Sequence, residues 1–159
     1  MAGTWESQNK VIPAAYINLV TNTPLSITAG DRGTLVLAQE LSAGEDGKIY
    51  RITATEANYP EQATAEDKKL VNLALLGAKT VLLYKLPSTH TDTDVENMLA
   101  ALKTEDFNVL VYPYAKSSTA ASTAQQTIAT WIKSMQEDEG KNVTAVLTDY
   151  VADSQYVIN

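Results

Sequence analysis

Apolar runs and helical stripes alternate along the second half of the chain. Residues 106–113 (DFNVLVYP) contain the short apolar run 109–111, which has the composition of a strand buried on both faces of a sheet. Two further strand-like runs occupy residues 79–86 (KTVLLYKL) and 142–150 (NVTAVLTDY). Because helix-like segments separate the three runs, the pattern is typical of successive parallel βαβ crossovers. The sequence therefore predicts an α/β fold in which helices flank a βαβ-type sheet.

Three amphipathic segments with capping signals predict the helices of this fold. The apolar stripes comprise Leu70, Leu73, Ala74 and Gly77, widened by Val71 and Leu75, in the first segment, Val95, Met98, Leu99 and Leu102 in the second, and Ile128, Trp131, Ile132 and Met135 in the third. The predicted caps and stops are Thr64, Asp67 and Gly77 for the first helix, Thr93 and Glu96 for the second, and Ser122, Gln125 and Gly140 for the third.

Short β pieces punctuated by glycine precede this region. Residues 34–39 (TLVLAQ) form one piece, and residues 48–55 (KIYRITAT) show the alternation of a half-solvated strand. The glycines at positions 30 and 33 lack the spacing of a dinucleotide-binding loop, and no Gly-Lys-Ser/Thr ending follows them. These glycines therefore predict a tight turn rather than a phosphate-binding site.

The first 24 residues predict an extended N-terminal β arm, and residues 25–159 an α/β domain. Residues 11–20 (VIPAAYINLV) are rich in β-forming side chains, and Pro13 and Pro24 bracket them. Because a proline cannot donate to a central ladder, the segment fits an edge strand or an arm. A lone strand is unstable, so this one must pair with the chain's own sheet or with another chain. The residues alone leave both pairings open.

Composition and charge narrow the possible partners. The 159 residues include 12 Lys and Arg against 19 Asp and Glu, which gives a formal net charge of −7. This balance argues against a nucleic-acid partner, because phosphate binding requires clustered basic side chains. The absence of cysteine excludes disulfides, thiolate nucleophiles and zinc–thiolate sites. No signal pattern opens the chain and no apolar window approaches a membrane-spanning length, so we expect no membrane partner.

Few residues are candidates for chemistry. His90 lies in a polar loop with Asp92 two residues later, but no Gly-x-Ser-x-Gly motif frames a serine and no spaced ligand accompanies the imidazole. Asp149 follows the last predicted strand, at the end where parallel sheets usually bind ligands, and Asp153 lies four residues further on. No further group of potential catalytic or metal-binding residues accompanies either pair. The sequence therefore predicts no catalytic, cofactor-binding or metal-binding residue.

An ordered set of short motifs resembles the contractile-tail sheath proteins of phages and related contractile bacteriocins. The opening segment is similar to the start of that family at Trp5, Gln8, Asn9, Lys10, Pro13, Tyr16, Ile17 and Asn18, and it departs from the family pattern at Ile12, Ala14 and Ala15. The other similar stretches are residues 30–33 (GDRG), 79–86, 105–108 (EDFN) and 131–150. The set covers nearly the whole chain, and it resembles the N-terminal portion of a compact-type sheath protein.

The resemblance implies a structural subunit and not an enzyme. Such a subunit polymerises around an inner tail tube protein and contracts to drive the tube through a cell envelope, without a cofactor. It would belong to a virion tail or a phage-tail-like particle made in the bacterial cytoplasm. The arm would pair with neighbouring subunits through Val11, Ile12, Tyr16, Ile17, Asn18, Leu19 and Val20. Because sheath subunits are usually much longer, the resemblance also implies truncation at residue 159.

Two other classes of function stay open on the residues alone. A small α/β enzyme or ligand-binding domain would hold its ligand at the strand ends near Pro87, Pro113 and Asp149. The lack of a phosphate loop, paired histidines and cysteines counts against this class. An adaptor would instead fold the arm back onto its own sheet. A downstream α/β half that ends in another β arm would favour the sheath.

Overall fold

A computed structural model describes residues 33–116, 120–151 and 154–159. Its elements are β1 (Thr34–Glu40), β2 (Ile49–Thr53), α1 (Ala65–Ala74), β3 (Thr80–Leu86), α2 (Asp92–Leu102), β4 (Val109–Tyr112), α3 (Ala124–Glu137), β5 (Thr144–Leu147) and β6 (Val157–Ile158). The predicted α/β class is confirmed. The predicted arm lies outside the described residues.

A six-stranded sheet organises the fold in the order β2-β3-β1-β4-β5-β6. Strand β2 is antiparallel to β3, and every other neighbouring pair is parallel. The crossover through α3 joins the neighbours β4 and β5, whereas the crossover through α2 skips one strand position. Strand β1 fills that position. The segment 34–39, which was predicted as one of the short β pieces preceding the βαβ region, therefore lies at the centre of the sheet.

The strands differ in how completely they are buried. The middle of β1 and nearly all of β3 are buried on both faces. In β4, Leu110 and Tyr112 are buried, whereas Val109 and Val111 are partly exposed. The prediction of two-sided burial for the run 109–111 is therefore wrong. The reason is that α2 and α3 cover one face of the sheet, while on the other face α1 is the one described helix and lies over β1, β2 and β3.

The local capping signals are only partly realised. Helix α1 begins after Thr64 with a capping box to Asp67, as predicted, but it ends three residues before Gly77. Helix α2 begins two residues earlier than predicted, because the Asp94 carboxylate accepts hydrogen bonds from the backbone N (2.7 Å) and Oγ1 (2.8 Å) of Thr91.

The predicted start of α3 is wrong, and the predicted apolar stripe of α1 is correct only for Val71, Ala74 and Leu75. Thr123, not Ser122, precedes α3, and no side chain caps that helix. In α1, Leu70 and Leu73 are exposed, whereas Val71 is buried and Ala74 and Leu75 pack against the same cluster. The helix is therefore rotated relative to the orientation that its leucines suggest.

Candidate functional site

The polar groups that converge in this fold lie at the carboxyl edge of the parallel strands. Strand β1 ends at Glu40, β4 ends at Tyr112, and His90 lies in the connection from β3 to α2. Because parallel strands end at one edge of a sheet, these residues meet although they are far apart along the chain. Tyr114 joins them from the segment that follows β4.

His90 is the centre of this cluster. Its imidazole is 0% exposed. The Nδ1 atom lies 2.6 Å from Oε1 of Glu40, and the Nε2 atom lies 2.6 Å from the hydroxyl oxygen of Tyr112. The backbone N of His90 also donates to Oε1 of Glu40, at 3.3 Å. One carboxylate oxygen therefore holds both the main chain and the ring of the histidine.

Tyr114 closes the remaining side of the cluster. Its ring centroid lies 4.9 Å from that of His90 and 5.2 Å from that of Tyr112. Its hydroxyl oxygen accepts a hydrogen bond from the backbone N of Glu40 at 2.7 Å. Burial raises the pKa of the Tyr114 phenol to about 12. The phenol is therefore neutral across the physiological pH range and serves as a hydrogen-bonding group, not as a base.

The hydrogen bonds link the cluster in a chain. The Glu40 carboxylate contacts Nδ1 of the His90 ring, and the hydroxyl of Tyr112 contacts Nε2 on the other side of the ring. A carboxylate, an imidazole and a hydroxyl in this order also form the chain that activates a nucleophile. Here, however, the terminal hydroxyl belongs to Tyr112, which is 1% exposed. A substrate cannot reach a nucleophile in that position, so the arrangement ties strand ends together.

Gln125 extends these ties to β5. Its side-chain amide donates to the backbone carbonyl oxygens of Tyr114 (3.1 Å) and Thr148 (2.5 Å). The residue expected to cap α3 thus bridges the ends of β4 and β5 from inside the first turn of the helix. The sequence predicts Gln125 as part of a local cap. The amide is buried, however, and the two main-chain carbonyl oxygens satisfy its hydrogen-bonding capacity.

The other predicted candidates do not assemble into a site. Asp92 does not join His90, because its Oδ1 accepts from the backbone N of Thr123 at 2.9 Å. Asp149 is exposed, in a turn with φ of 60°, and lines a small cavity of about 240 Å³. Asp153, which was considered with it, lies outside the described residues. No group of three or more His, Asp or Glu side chains suited to a metal ion occurs within the described ranges.

Glu40, Tyr112 and Tyr114 are the members of the cluster that the sequence did not identify. Their partners lie 22 to 74 residues away, so no local spacing links them. A usable signal was the position of each residue at or just after a predicted strand. The arm residues Val11, Ile12, Tyr16, Ile17, Asn18, Leu19 and Val20 lie outside the part of the chain that the structure describes.

Comparison with known proteins reveals similarity in both sequence and fold. No protein-family model matches the chain. A tail sheath protein of Clostridium phage phiCD119 is 31% identical over 118 residues, which covers 70% of this chain and 32% of the phage protein. The crystal structure of a sheath tail protein from Desulfitobacterium hafniense superimposes with a TM-score of 0.67 at 20% identity, over 81% of this chain and 52% of that one.

A second solved structure leads to the same fold. The sheath tail protein of Listeria innocua superimposes with a TM-score of 0.65 at 15% identity, over 82% of this chain and 51% of that one. The chain thus spans about a third of the length of the phage protein and about half of each solved structure. Within the described residues, no helix is both long and apolar enough to cross a membrane. The predicted resemblance is confirmed: the chain is similar in sequence to part of a phage tail sheath protein and in fold to part of two sheath tail proteins.

Proposed function

We propose that this chain acts as a structural subunit of a contractile tail sheath and has no catalytic role. The sequence similarity to a phage tail sheath protein over 70% of the chain is the observation that carries the proposal. The fold shared with two sheath tail proteins supports it. In this role the subunit is part of a virion tail, or of a related bacteriocin or contractile injection system assembled from protein made in the bacterial cytoplasm.

The geometry of the carboxyl edge favours this role over that of an α/β enzyme. Each ring nitrogen of His90 has a hydrogen-bond partner, and the ring is enclosed by two tyrosines. General acid–base catalysis requires a group within hydrogen-bonding reach of a substrate. A fully buried imidazole does not meet that requirement, whereas it is well suited to fixing strand ends in a subunit that bears mechanical load.

In the proposed assembly, the N-terminal arm of one subunit pairs with the sheet of a neighbour. Among the described strands, β2 and β6 are the two edges of the sheet, and β6 is two residues long with Ile158 largely exposed. An edge strand offers main-chain hydrogen-bonding groups to a strand from another chain. Residues 11–20, fully extended, reach at most about 33–36 Å, which is enough to bridge adjacent subunits.

Contraction in this proposal is a change in subunit packing around an inner tail tube. Rigid subunits rotate against one another, which requires two stable arrangements of the lattice and no bound cofactor. The exchanged strands keep the subunits joined during the change, because main-chain ladders persist while side-chain contacts are rebuilt. The lattice partners are other copies of the subunit and the tube protein.

Deletion of residues 1–22 from the natural subunit tests the proposal. We expect the α/β domain to keep its circular dichroism spectrum while negative-stain microscopy shows no sheaths. Ile17→Pro, which removes one ladder donor, should have the same effect, and Ile17→Val, which keeps the donor, should assemble normally. Sheaths assembled from armless subunits would contradict the role of the arm. A wild-type subunit that forms no tubular polymer would contradict the sheath function itself.

A further inference from the structure

A turn at the carboxyl edge of the sheet contains the one Asp-Gly pair of the sequence. Asp46 and Gly47 lie in the connection from β1 to β2. Glycine has no side chain to shield its main-chain nitrogen, and Gly47 takes a left-handed conformation with φ of 76°. The side chain of Asp46 is 57% exposed. The turn therefore places a carboxyl group next to an unshielded main-chain nitrogen, where water has access to both.

An aspartate followed by glycine is open to isomerisation. The main-chain nitrogen of the glycine attacks the side-chain carboxyl carbon of the aspartate, and the amide proton leaves with the carboxyl hydroxyl as water, so that a cyclic imide forms. Water then adds to the main-chain carbonyl carbon, and the original peptide bond breaks. The product has the same mass as aspartate, but its main chain runs through the side chain and is longer by a methylene. The reaction needs no oxidant, reductant or cofactor.

Lys85 holds both of the groups that would react. Its ammonium Nζ donates to Oδ1 of Asp46, and its main-chain carbonyl oxygen accepts from the backbone N of Gly47 at 2.9 Å. The Lys85 side chain is 8% exposed, so it reaches the turn from inside the fold. The carboxyl group is therefore turned towards the ammonium, and the amide nitrogen is directed at strand β3 instead of at the carboxyl carbon.

The same turn sets the register of the edge strand β2. The backbone N of Lys85 donates to the carbonyl oxygen of Lys48 at 3.1 Å, which continues the pairing of β2 and β3 into the turn. A methylene added to the main chain between Asp46 and Gly47 would displace Gly47 and Lys48 relative to Lys85. Isomerisation would therefore break the hydrogen bonds that join the turn to β3 and would loosen the start of β2.

We propose that the bond between Asp46 and Gly47 is a site of aspartate isomerisation and that Lys85 restrains the reaction in the folded chain. The restraint is local, because it depends on a buried ammonium and a carbonyl oxygen of the same residue. The reaction proceeds from openings of the turn in which the ammonium and the carboxylate separate. Such chemical ageing of the chain is independent of the proposed sheath function.

Lys85→Met tests the restraint, because methionine occupies similar space without the charge and the freed carboxylate of Asp46 still reaches water. The full chain is incubated at neutral pH in water labelled with oxygen-18 and digested, and isoaspartate at position 46 is measured by chromatography and mass spectrometry. A charge-assisted hydrogen bond is strong enough to shift a local opening by about tenfold, so we expect isoaspartate to form about tenfold faster in the variant. Lys85→Arg, which keeps the charge, should restore most of the restraint.

Lys48→Met is the matched control within the same turn. Lys48 forms an exposed ion pair with Glu45 at 3.6 Å and does not hold Asp46, so this variant should isomerise at the wild-type rate. The reference is the wild-type chain unfolded in guanidinium chloride, where no contact holds the turn. We expect the folded wild type to react at least about tenfold more slowly than this reference.

Three outcomes would overturn the proposal. The first is a folded wild type that isomerises at position 46 as fast as the unfolded chain. The second is an equal rate in Lys85→Met and Lys48→Met, which would show that the Lys85 side chain gives no protection. The third is an increase in Lys85→Met no larger than the rise in its unfolded fraction, as measured by urea denaturation, because global unfolding would then account for the reaction.

Discussion

The two faces of the sheet differ in what holds them together. On one face, α2 and α3 contact each other and close a continuous core that includes Leu82, Leu110 and Ile132. On the other face, Val71 is the one apolar residue of α1 that is buried, and three leucines near it are exposed. Among the described residues, the first face therefore contributes more buried apolar packing, and more stability, than the second.

Truncating one leucine on each face should show the difference in stability between the two faces most clearly. We expect Leu110→Ala to lower the free energy of unfolding by about 2–5 kcal/mol, because it leaves a cavity in a packed core. Leu73→Ala should change it by less than about 0.5 kcal/mol, because that side chain is mostly exposed. Urea denaturation of both variants measures the contrast. Equal losses would show that α1 is as firmly packed as α2 and α3.

Replacing His90 should produce the next largest effect, on the well-packed face. His90→Leu removes the ring that bonds both the Tyr112 hydroxyl and the Glu40 carboxylate, and Glu40 keeps only the main-chain N of residue 90 as a donor in the cluster, so we expect a loss of about 1–3 kcal/mol. Tyr156→Phe is the control, since it removes two exposed hydrogen bonds, one donated to Glu137 and one accepted from Gln155, and should cost little. A His90 variant as stable as the wild type would refute the view that this cluster ties the strand ends.

What the sequence predicted well depends on neighbouring residues. The capping box of Thr64 and Asp67 lies within one turn, and it forms as predicted. At α2 the chain offers two such spacings, Thr91 with Asp94 and Thr93 with Glu96, and local chemistry cannot rank them. The parallel strands and their helices were predictable for the same reason, because the apolar pattern within each segment is enough to indicate a strand or a helix.

What the sequence missed depends on partners that are distant along the chain. The insertion of β1 between β3 and β4 is set by pairing across the sheet, although the apolar run Leu35–Val36–Leu37–Ala38 is typical of a central strand. Glu40 lies 50 residues from His90, so the cluster could not be derived from spacing. The orientation of α1 was missed because the helix is apolar on more than one side, and periodicity alone does not decide which side is buried.

Asp67 anchors α1, which packs on the second face of the sheet, through hydrogen bonds. Its Oδ1 accepts from the backbone N of Ser42 at 3.2 Å, and its Oδ2 accepts from the backbone N (2.9 Å) and Oγ1 (2.8 Å) of Thr64. The hydroxyl of Ser42 donates to Oδ2 as well. Burial by itself raises the pKa of the Asp67 carboxyl, but these hydrogen bonds outweigh it and lower the pKa to about 2.

The lowered pKa of Asp67 makes its contribution to stability depend on pH. Because the folded-state pKa lies below the ordinary value of 3.8, the stabilisation is complete above the ordinary value and is lost as pH falls through about 2. We expect Asp67→Asn, which removes the charge and keeps the shape, to cost about 1–2 kcal/mol at pH 7, as loss of a charged cap does. The difference from wild type should shrink between pH 5 and pH 2, as measured by urea denaturation across that range. Asp106→Asn serves as the control for a surface carboxylate. If the difference in the free energy of unfolding between Asp67→Asn and wild type did not change with pH, the carboxylate charge would not be what anchors α1. The packing of α1 on the sheet would then depend on Val71 instead.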